Sequence, residues 1–177
     1  LEQLRPLLAR AHDTQACLAM TGDKAILRSE DGNGFVMMQR YGGSLVSMGD
    51  PVGPPDTVRT LIWKFREEAD RLGLRPVFYQ TGDQHWQTYL DLGLTLVKLG
   101  EEAMVSLDGF SLEGSARAEL RQAWNKGRRS GLGFRVVPAE DVAPLLPALE
   151  AISDAWLEEK AGDEKGFSLG SFDPAYL

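Results

Sequence analysis

Two strand-like runs, Lys24–Ser29 and Phe35–Tyr41, flank the pentapeptide EDGNG, and Gly42-Gly43 leads directly into a third run, Ser44–Met48. Asn, Asp and Gly reach the left-handed backbone region at little cost, so segments of this kind close hairpins. Runs joined by so few residues pair antiparallel, because a parallel partner needs a crossover of a dozen residues or more. The spacing predicts a three-stranded antiparallel meander. The remaining elements must pack against its faces.

Before the meander, Leu4, Leu7, Leu8 and Ala11 recur at helical spacing in residues 1–12, with Pro6 tolerated in a first turn. Thr14–Met20 reads as a second short helix. After it, GDPVGPP breaks the pattern abruptly. Asp56–Leu72 is then an amphipathic helix with Val58, Leu61, Ile62, Phe65 and Leu72 inward, and Trp63 also expected in the core. Pro76–Gln80 reads as a buried strand, Gln84–Leu92 as a helix and Thr95–Leu107 as a long strand.

Residues 111–135, SLEGSARAELRQAWNKGRRSGLGFR, form the most distinctive stretch. It reads as a helix opened by Ser111 as N-cap, with Glu113 nearby, and closed by Gly131. Ala116, Leu120, Ala123 and Gly127 share one narrow apolar face. Arg117, Arg121, Trp124 and Arg128 share the next, with Lys126 and Arg129 beyond them. The acids Glu113 and Glu119 sit near the N-terminus, where the helix dipole favours them. A cationic stripe carrying an indole suits a phosphate backbone or a lipid headgroup. A solvated basic face is the competing reading.

Charge sharpens that contrast. The net charge is −7, so contact with a polyanion must be local, and this stretch is the concentrated positive patch. At 43% hydrophobic and 25% charged, the 177 residues can bury a sizeable core. Cys17 is alone, which excludes an internal disulfide and a thiol cluster for zinc. No apolar run approaches the roughly 20 residues that span a bilayer, and no signal peptide opens the chain, so the composition fits a cytoplasmic location.

Beyond the basic stretch the pattern starts again. Phe134–Val137 reads as a short strand and Ala139–Lys160 as a long helix kinked near Pro144 and Pro147. The triplet PLL opens a helical pattern at Pro6–Leu8 and again at Pro144–Leu146, in keeping with an internal duplication. The loop AGDEKGFSLGS follows, and Asp173 reads as the N-cap of another helix. Because the pattern stops midway, a truncated or incompletely ordered protein is expected. Lys160, Glu164, Lys165 and Ser168, gathered around Gly166, Phe167 and Gly170, suit a substrate-lined loop; an exposed helix connection is the plainer reading. His12 and His85 have no serine or cysteine placed for a triad and read as structural. No cluster has metal-ligand spacing.

The element order and the tail WQTYLDLGLTLVKLGEEAMVSL resemble the fold of the GCN5-related N-acetyltransferases: an α/β (α+β) architecture with a mixed sheet flanked by helices. That fold grips coenzyme A with a glycine-rich loop at a helix N-terminus. Here the corresponding loop is GDPVGPP, whose three prolines offer no N–H, which argues against an acetyl-coenzyme A enzyme and for a rigid turn.

GDPVGPP, LIWKFREEADRLGLRPVFYQ, YLDLGLTLVKLGEEA, SLEGSARAELRQAWNKGRRSGLGF and WLEEKAGDEKGFSLGSFDPAYL together resemble the cytoplasmic domain of the bacterial phosphatidylglycerol lysyltransferases, the multiple peptide resistance factor family. The resemblance implies tandem acetyltransferase-like modules, the second incomplete: residues 1–107 as the first, 108–132 as a linking basic helix, and 133–177 as the opening of the second. It implies transfer of lysine or alanine from aminoacyl-tRNA to phosphatidylglycerol at the inner face of the cell membrane. A non-catalytic module docking tRNA or membrane is the alternative. Exchange of one ester for another is near thermoneutral, so positioning and charge stabilisation suffice and no cofactor is expected. Glu164 is then the candidate base or positioning acid, with Lys160 and Lys165 as candidates for holding phosphate or an oxyanion. Arg117, Arg121, Trp124, Lys126, Arg128, Arg129, Phe167 and Ser168 are the candidate contacts to tRNA or headgroup.

Overall fold

Strand β2 (Phe35–Tyr41) pairs antiparallel with both β1 (Ala25–Arg28) and β3 (Ser44–Met48), so the expected meander is present. These assignments come from a computed structural model, which describes residues 1–11, 13–160, 166–168, 171–174 and 176. A fourth strand, β4 (Arg75–Tyr79), joins β3 in parallel register and completes a mixed sheet of order β1-β2-β3-β4. Helix α2 (Pro55–Arg71) makes the crossover that parallel pairing requires. The chain divides into two compact units, Leu1–Leu99 with Leu146–Leu177, and Gly100–Leu145.

In the first unit, alternation along β2 fills two cores. Val36 faces Leu45, Leu61, Phe65, Ala69 and Leu74 on the α2 side. Phe35 and Met37 face Leu4, Ala19 and Met48 on the other. Successive strand side chains point to opposite faces, so a single apolar run serves both layers. The second face is covered by the N-terminal elements. There the expected helices are a short turn at Glu2–Leu4, α1 (Arg5–Leu8) and a 3-10 helix at Thr14–Thr21. A third cluster, Val58, Ile62, Tyr89 and Leu92, joins α2 to α3 (Trp86–Asp91).

GDPVGPP does start α2, with Pro54 as N-cap and Pro55 in the first turn, where a missing N–H costs nothing. It is also more than a turn. Val52 exchanges two backbone hydrogen bonds with Phe35, at 2.9 and 2.8 Å. The two backbones lie so close that a Cβ on Gly34 would stand 2.6 Å from the Val52 carbonyl oxygen. The EDGNG turn is held by Asp31, which accepts from the Asn33 N–H at 3.0 Å and from the Thr57 hydroxyl at 3.3 Å.

Several expectations are corrected. Trp63 is 45% exposed, because it stands about 140° around the helical wheel from Val58. Leu72 is 44% exposed: α2 ends at Arg71 and the chain turns at Gly73, so Leu74 enters the core instead. Strand β4 is half-buried rather than buried, since it forms the sheet edge. The expected strands at Thr95–Leu107 and Phe134–Val137 do not form; neither takes part in a β ladder among the described residues. A strand is made by its neighbour's hydrogen bonds, and alternation alone supplies none. The helix expected from Ala139 begins as two short turns, Ala139–Asp141 and Ala143–Leu145, before α5 (Leu146–Lys160), in whose first turn Pro147 is tolerated.

The second unit contains a turn at Ser115–Arg117 and α4 (Ala118–Arg129). None of α4's side chains is buried, and on its narrow apolar face Leu120 is 45% exposed.

Candidate functional site

The basic helix is shorter than residues 111–135 imply. Ser111 is not its N-cap: the Ser111 Oγ accepts the Glu113 N–H at 3.3 Å, a local turn that closes before the helix begins. Its end matches the expectation. Gly131, at φ 77°, lets the Leu132 N–H reach the Gly127 carbonyl and its own N–H reach Arg128, at 3.0 and 3.1 Å. That pair of bonds is the Schellman stop, and it needs the left-handed conformation glycine adopts without strain.

The candidate cations divide by what they already hold. The Arg121 guanidinium donates through Nη1 to the carbonyls of Leu112 and Gly114, each at 2.5 Å, and so fastens the segment leading into α4. The Arg117 guanidinium rests 5.2 Å from the Phe110 ring centroid, within cation–π range. Arg129 Nε donates to the Asn125 carbonyl at 3.2 Å. The side chains of Lys126 and Arg128 make no hydrogen bond or ion pair among the described residues. Both lie in the last turn, where the dipole favours cations. Trp124 shares a face with Arg121 and Arg128 and is 56% exposed. Asn125, Arg128 and Arg129 line a shallow open depression.

In the first unit, Glu164 and Lys165 lie outside the described residues, as does His12. Lys160 ends α5 with its Nζ 3.1 Å from Glu159 Oε1, an exposed pair. Phe167 and Ser168 are described, and they lead to residues that sequence reasoning missed. The Phe167 N–H donates to Asp23 Oδ2 at 2.9 Å, across 144 residues. Asp23 Oδ1 accepts from the Lys24 ammonium and from the Thr21 hydroxyl, both at 2.6 Å. The Lys24 side chain is fully buried. Its Nζ also donates to the Leu18 carbonyl at 3.2 Å and to the Thr21 Oγ1 at 3.1 Å, and lies 5.8 Å from the Phe167 ring centroid. Burial pushes the Asp23 carboxyl up, but the bonds from Lys24, Thr21 and the Phe167 N–H outweigh it and bring it to about 2. Nothing local in the sequence marks this pair.

A second missed group lies beyond the β3 and β4 ends. Asp50 accepts the Tyr89 hydroxyl in a short hydrogen bond and the Gly82 N–H at 2.7 Å. Burial, then the Asp50 charge, pushes the Tyr89 phenol well above its usual range. Nearby, Gln80 is held at φ 58°, and its Oε1 accepts from Gln15 Nε2 at 3.1 Å. His85 stands at the N-cap of α3 without a side-chain capping bond. Among the described residues no three His, Cys, Asp or Glu side chains could hold a metal ion, and no helix is long and apolar enough to cross a membrane.

The sequence profile of the family described as phosphatidylglycerol lysyltransferase, C-terminal, matches residues 5–177. The chain belongs to this family. Among its relatives, the phosphatidylglycerol lysyltransferase of Bacillus subtilis is 39% identical over 160 residues, 90% of this chain and 18% of the relative. That of Staphylococcus aureus strain MRSA252 is 35% identical over 160 residues, 90% of this chain and 19% of the relative. A crystal structure assigned to the C-terminal domain of a lysylphosphatidylglycerol synthetase from Agrobacterium fabrum matches with a TM-score of 0.93 at 39% identity, covering 99% of this chain and 55% of that one. The structure of L-PGS from Bacillus licheniformis matches with a TM-score of 0.87 at 37% identity and the same coverage. This chain therefore spans about a fifth of those curated relatives and about half of the solved chains.

Proposed function

We propose that this chain acts, within a longer enzyme, in moving an aminoacyl group from tRNA to phosphatidylglycerol. The observation that carries the reading is the family match over residues 5–177, joined to relatives named phosphatidylglycerol lysyltransferase at 35% and 39% identity. The headgroup hydroxyl attacks the aminoacyl ester carbonyl, and the ribose oxygen of the tRNA leaves. One ester bond forms as another breaks, so the protein has to align the groups and stabilise the oxyanion. Glu164 takes or orients the hydroxyl proton; Lys160 and Lys165 offset the negative charge. The exposed cations at the end of α4, Lys126 and Arg128, meet a phosphate of tRNA or of the lipid.

In the same reading the chain carries a first acetyltransferase-like module in residues 1–107, the linking helix in 108–132 and the opening of a second module from 133. The mixed sheet with helices on both faces supports this. The enzyme works at the inner face of the cell membrane, where anionic lipid and charged tRNA meet. Lysine is the expected cargo, with alanine as the alternative.

The test is a lipid-extract assay on the full-length protein with phosphatidylglycerol vesicles and lysyl-tRNA or alanyl-tRNA side by side. Formation of lysyl-phosphatidylglycerol is expected. Binding of tRNA or vesicles without any aminoacyl lipid would make this a docking module. Tight binding of coenzyme A would make it an acetyltransferase.

A further inference from the structure

Phe167 sits in a backbone conformation that few residues other than glycine adopt, at φ 65°. Holding it there is unfavourable, so the surroundings must over-determine it. They do so from three sides. Its N–H is bonded to Asp23 Oδ2. Its ring packs against the apolar cluster of Leu4, Ala19, Phe35, Met37 and Met48. The same ring lies beside the buried Lys24 ammonium. The next residue folds back as well, with the Ser168 N–H on the Gly166 carbonyl at 2.9 Å.

Asp23 is the hub of this arrangement. One oxygen is occupied by the local partners Lys24 and Thr21; the other is given wholly to the distant backbone. A surface ion pair would not need this geometry, and exposed pairs contribute little. Here the ammonium is fully buried, which makes the carboxylate obligatory and fixes its orientation. Its second oxygen is thereby aimed at one peptide N–H.

We propose that Asp23 is a positioning residue for aminoacyl transfer: by holding the Phe167 N–H it sets the Gly166–Ser168 backbone, the segment that directly follows Glu164 and Lys165. Lys24 acts one step further back, by orienting Asp23. This assignment rests on the proposed function of the loop. Neither residue touches a substrate, and their effect reaches the reaction through the geometry of the loop.

The test compares two double variants of the full-length protein. Lys24→Met with Asp23→Asn removes both charges but leaves an oxygen able to accept the Phe167 N–H. Lys24→Met with Asp23→Ala removes that acceptor too, without stranding a buried ammonium. Amide hydrogen exchange over residues 166–168 is measured beside kcat and KM for lysyl-phosphatidylglycerol formation. In the Asn variant, slow exchange and most of the kcat should remain. In the Ala variant, exchange should quicken about tenfold or more, and kcat should fall by up to about 10²-fold with KM nearly unchanged. Equal exchange in the two variants overturns the proposal. So does a loosened loop with intact kcat, which would make the clamp merely structural. Exchange of the Phe167 amide in the unaltered protein needs no variant, and a rate equal to that of a free amide overturns it as well. If the unaltered protein makes no aminoacyl lipid, the proposed function fails, and the exchange result reads the clamp separately.

Discussion

The Tyr89 hydroxyl donates to the Asp50 carboxylate across 39 residues, tying α3 to the loop that leaves β3. Tyr89 is fully buried, and its ring lies 4.6 Å from that of Phe78, which in turn lies 4.7 Å from Phe65. One residue thus joins an aromatic stack to a polar anchor. Tyr89→Phe keeps the ring and deletes only the donor, so it should cost about 1.5–3 kcal/mol, the range for hydrogen bonds to charged groups. Urea denaturation should show a lower midpoint with an unchanged slope. A midpoint equal to that of the unaltered protein would mean that the bond carries no net stability.

Gly34 is needed for space rather than for a turn. Its added Cβ would meet the Val52 carbonyl at 2.6 Å and the Thr57 Cγ2 at 2.8 Å. Gly34→Ala must therefore push the Phe35–Val52 bridge apart, at a cost of about 1–3 kcal/mol. Gly32, with nothing within 4 Å, gives the comparison: Gly32→Ala meets no neighbour and should cost less, through its φ of 72° alone. Thermal melting of the two variants checks the order.

The basic stretch should separate into two kinds of cation. Replacing Lys126 and Arg128 by Gln removes cations that hold nothing within the described residues. Binding to tRNA or anionic vesicles should weaken, with the salt slope falling by roughly 0.9 for each duplex phosphate no longer neutralised. Arg121→Gln instead frees the carbonyls of Leu112 and Gly114. Its main effect should be loss of helix signal and faster proteolysis near residues 112–118. Unchanged binding and slope in the first variant would return this face to the solvated reading.

Glu164 and Lys165 are tested through chemistry. If both side chains act on the reacting groups rather than on the fold, Glu164→Gln and Lys165→Met in the full-length protein should leave melting and tRNA binding nearly intact. Aminoacyl-lipid formation should fall roughly 10²-fold or more if they act on the reacting groups. Near-normal product from both variants would make the loop a connection only.

Acid should loosen the Asp23 clamp in a defined window. The carboxyl lies at about 2 in the fold and at about 3.9 in an unfolded chain. A depressed folded value means that the unfolded chain binds more protons between those limits, so stability rises with pH there. The contribution is complete above about 4 and is lost as pH falls through about 2. Asp31, also at about 2 through bonds from Ser29 and Asn33, acts in the same direction. Melting temperature should drop from pH 5 to pH 2, and the Lys24→Met, Asp23→Asn variant should show a shallower drop.

Much of the first unit is legible in the sequence because local physics writes it. EDGNG and Gly42-Gly43 dictate antiparallel neighbours, and the observed β2 and β3 have the expected bounds. The apolar stripe of Val58, Leu61, Ile62 and Phe65 dictates α2 and its buried face. Gly131 dictates where α4 stops, since the left-handed conformation there suits glycine. Motifs spread from GDPVGPP to WLEEKAGDEKGFSLGSFDPAYL pointed to the family that the profile match then showed. Tertiary structure decided the rest. Alternating residues at 95–107 and 134–137 could not become strands without a partner ladder, and periodicity contains no partner. Whether Arg121 faces an anion or its own backbone depends on where residues 112–114 pass. The bonds from Asp50 to Tyr89 and from Asp23 to Phe167 join residues 39 and 144 positions apart. Such pairs arise from how distant segments stack on the two faces of one sheet. No window of sequence short enough to show a helix or a strand contains both ends of them.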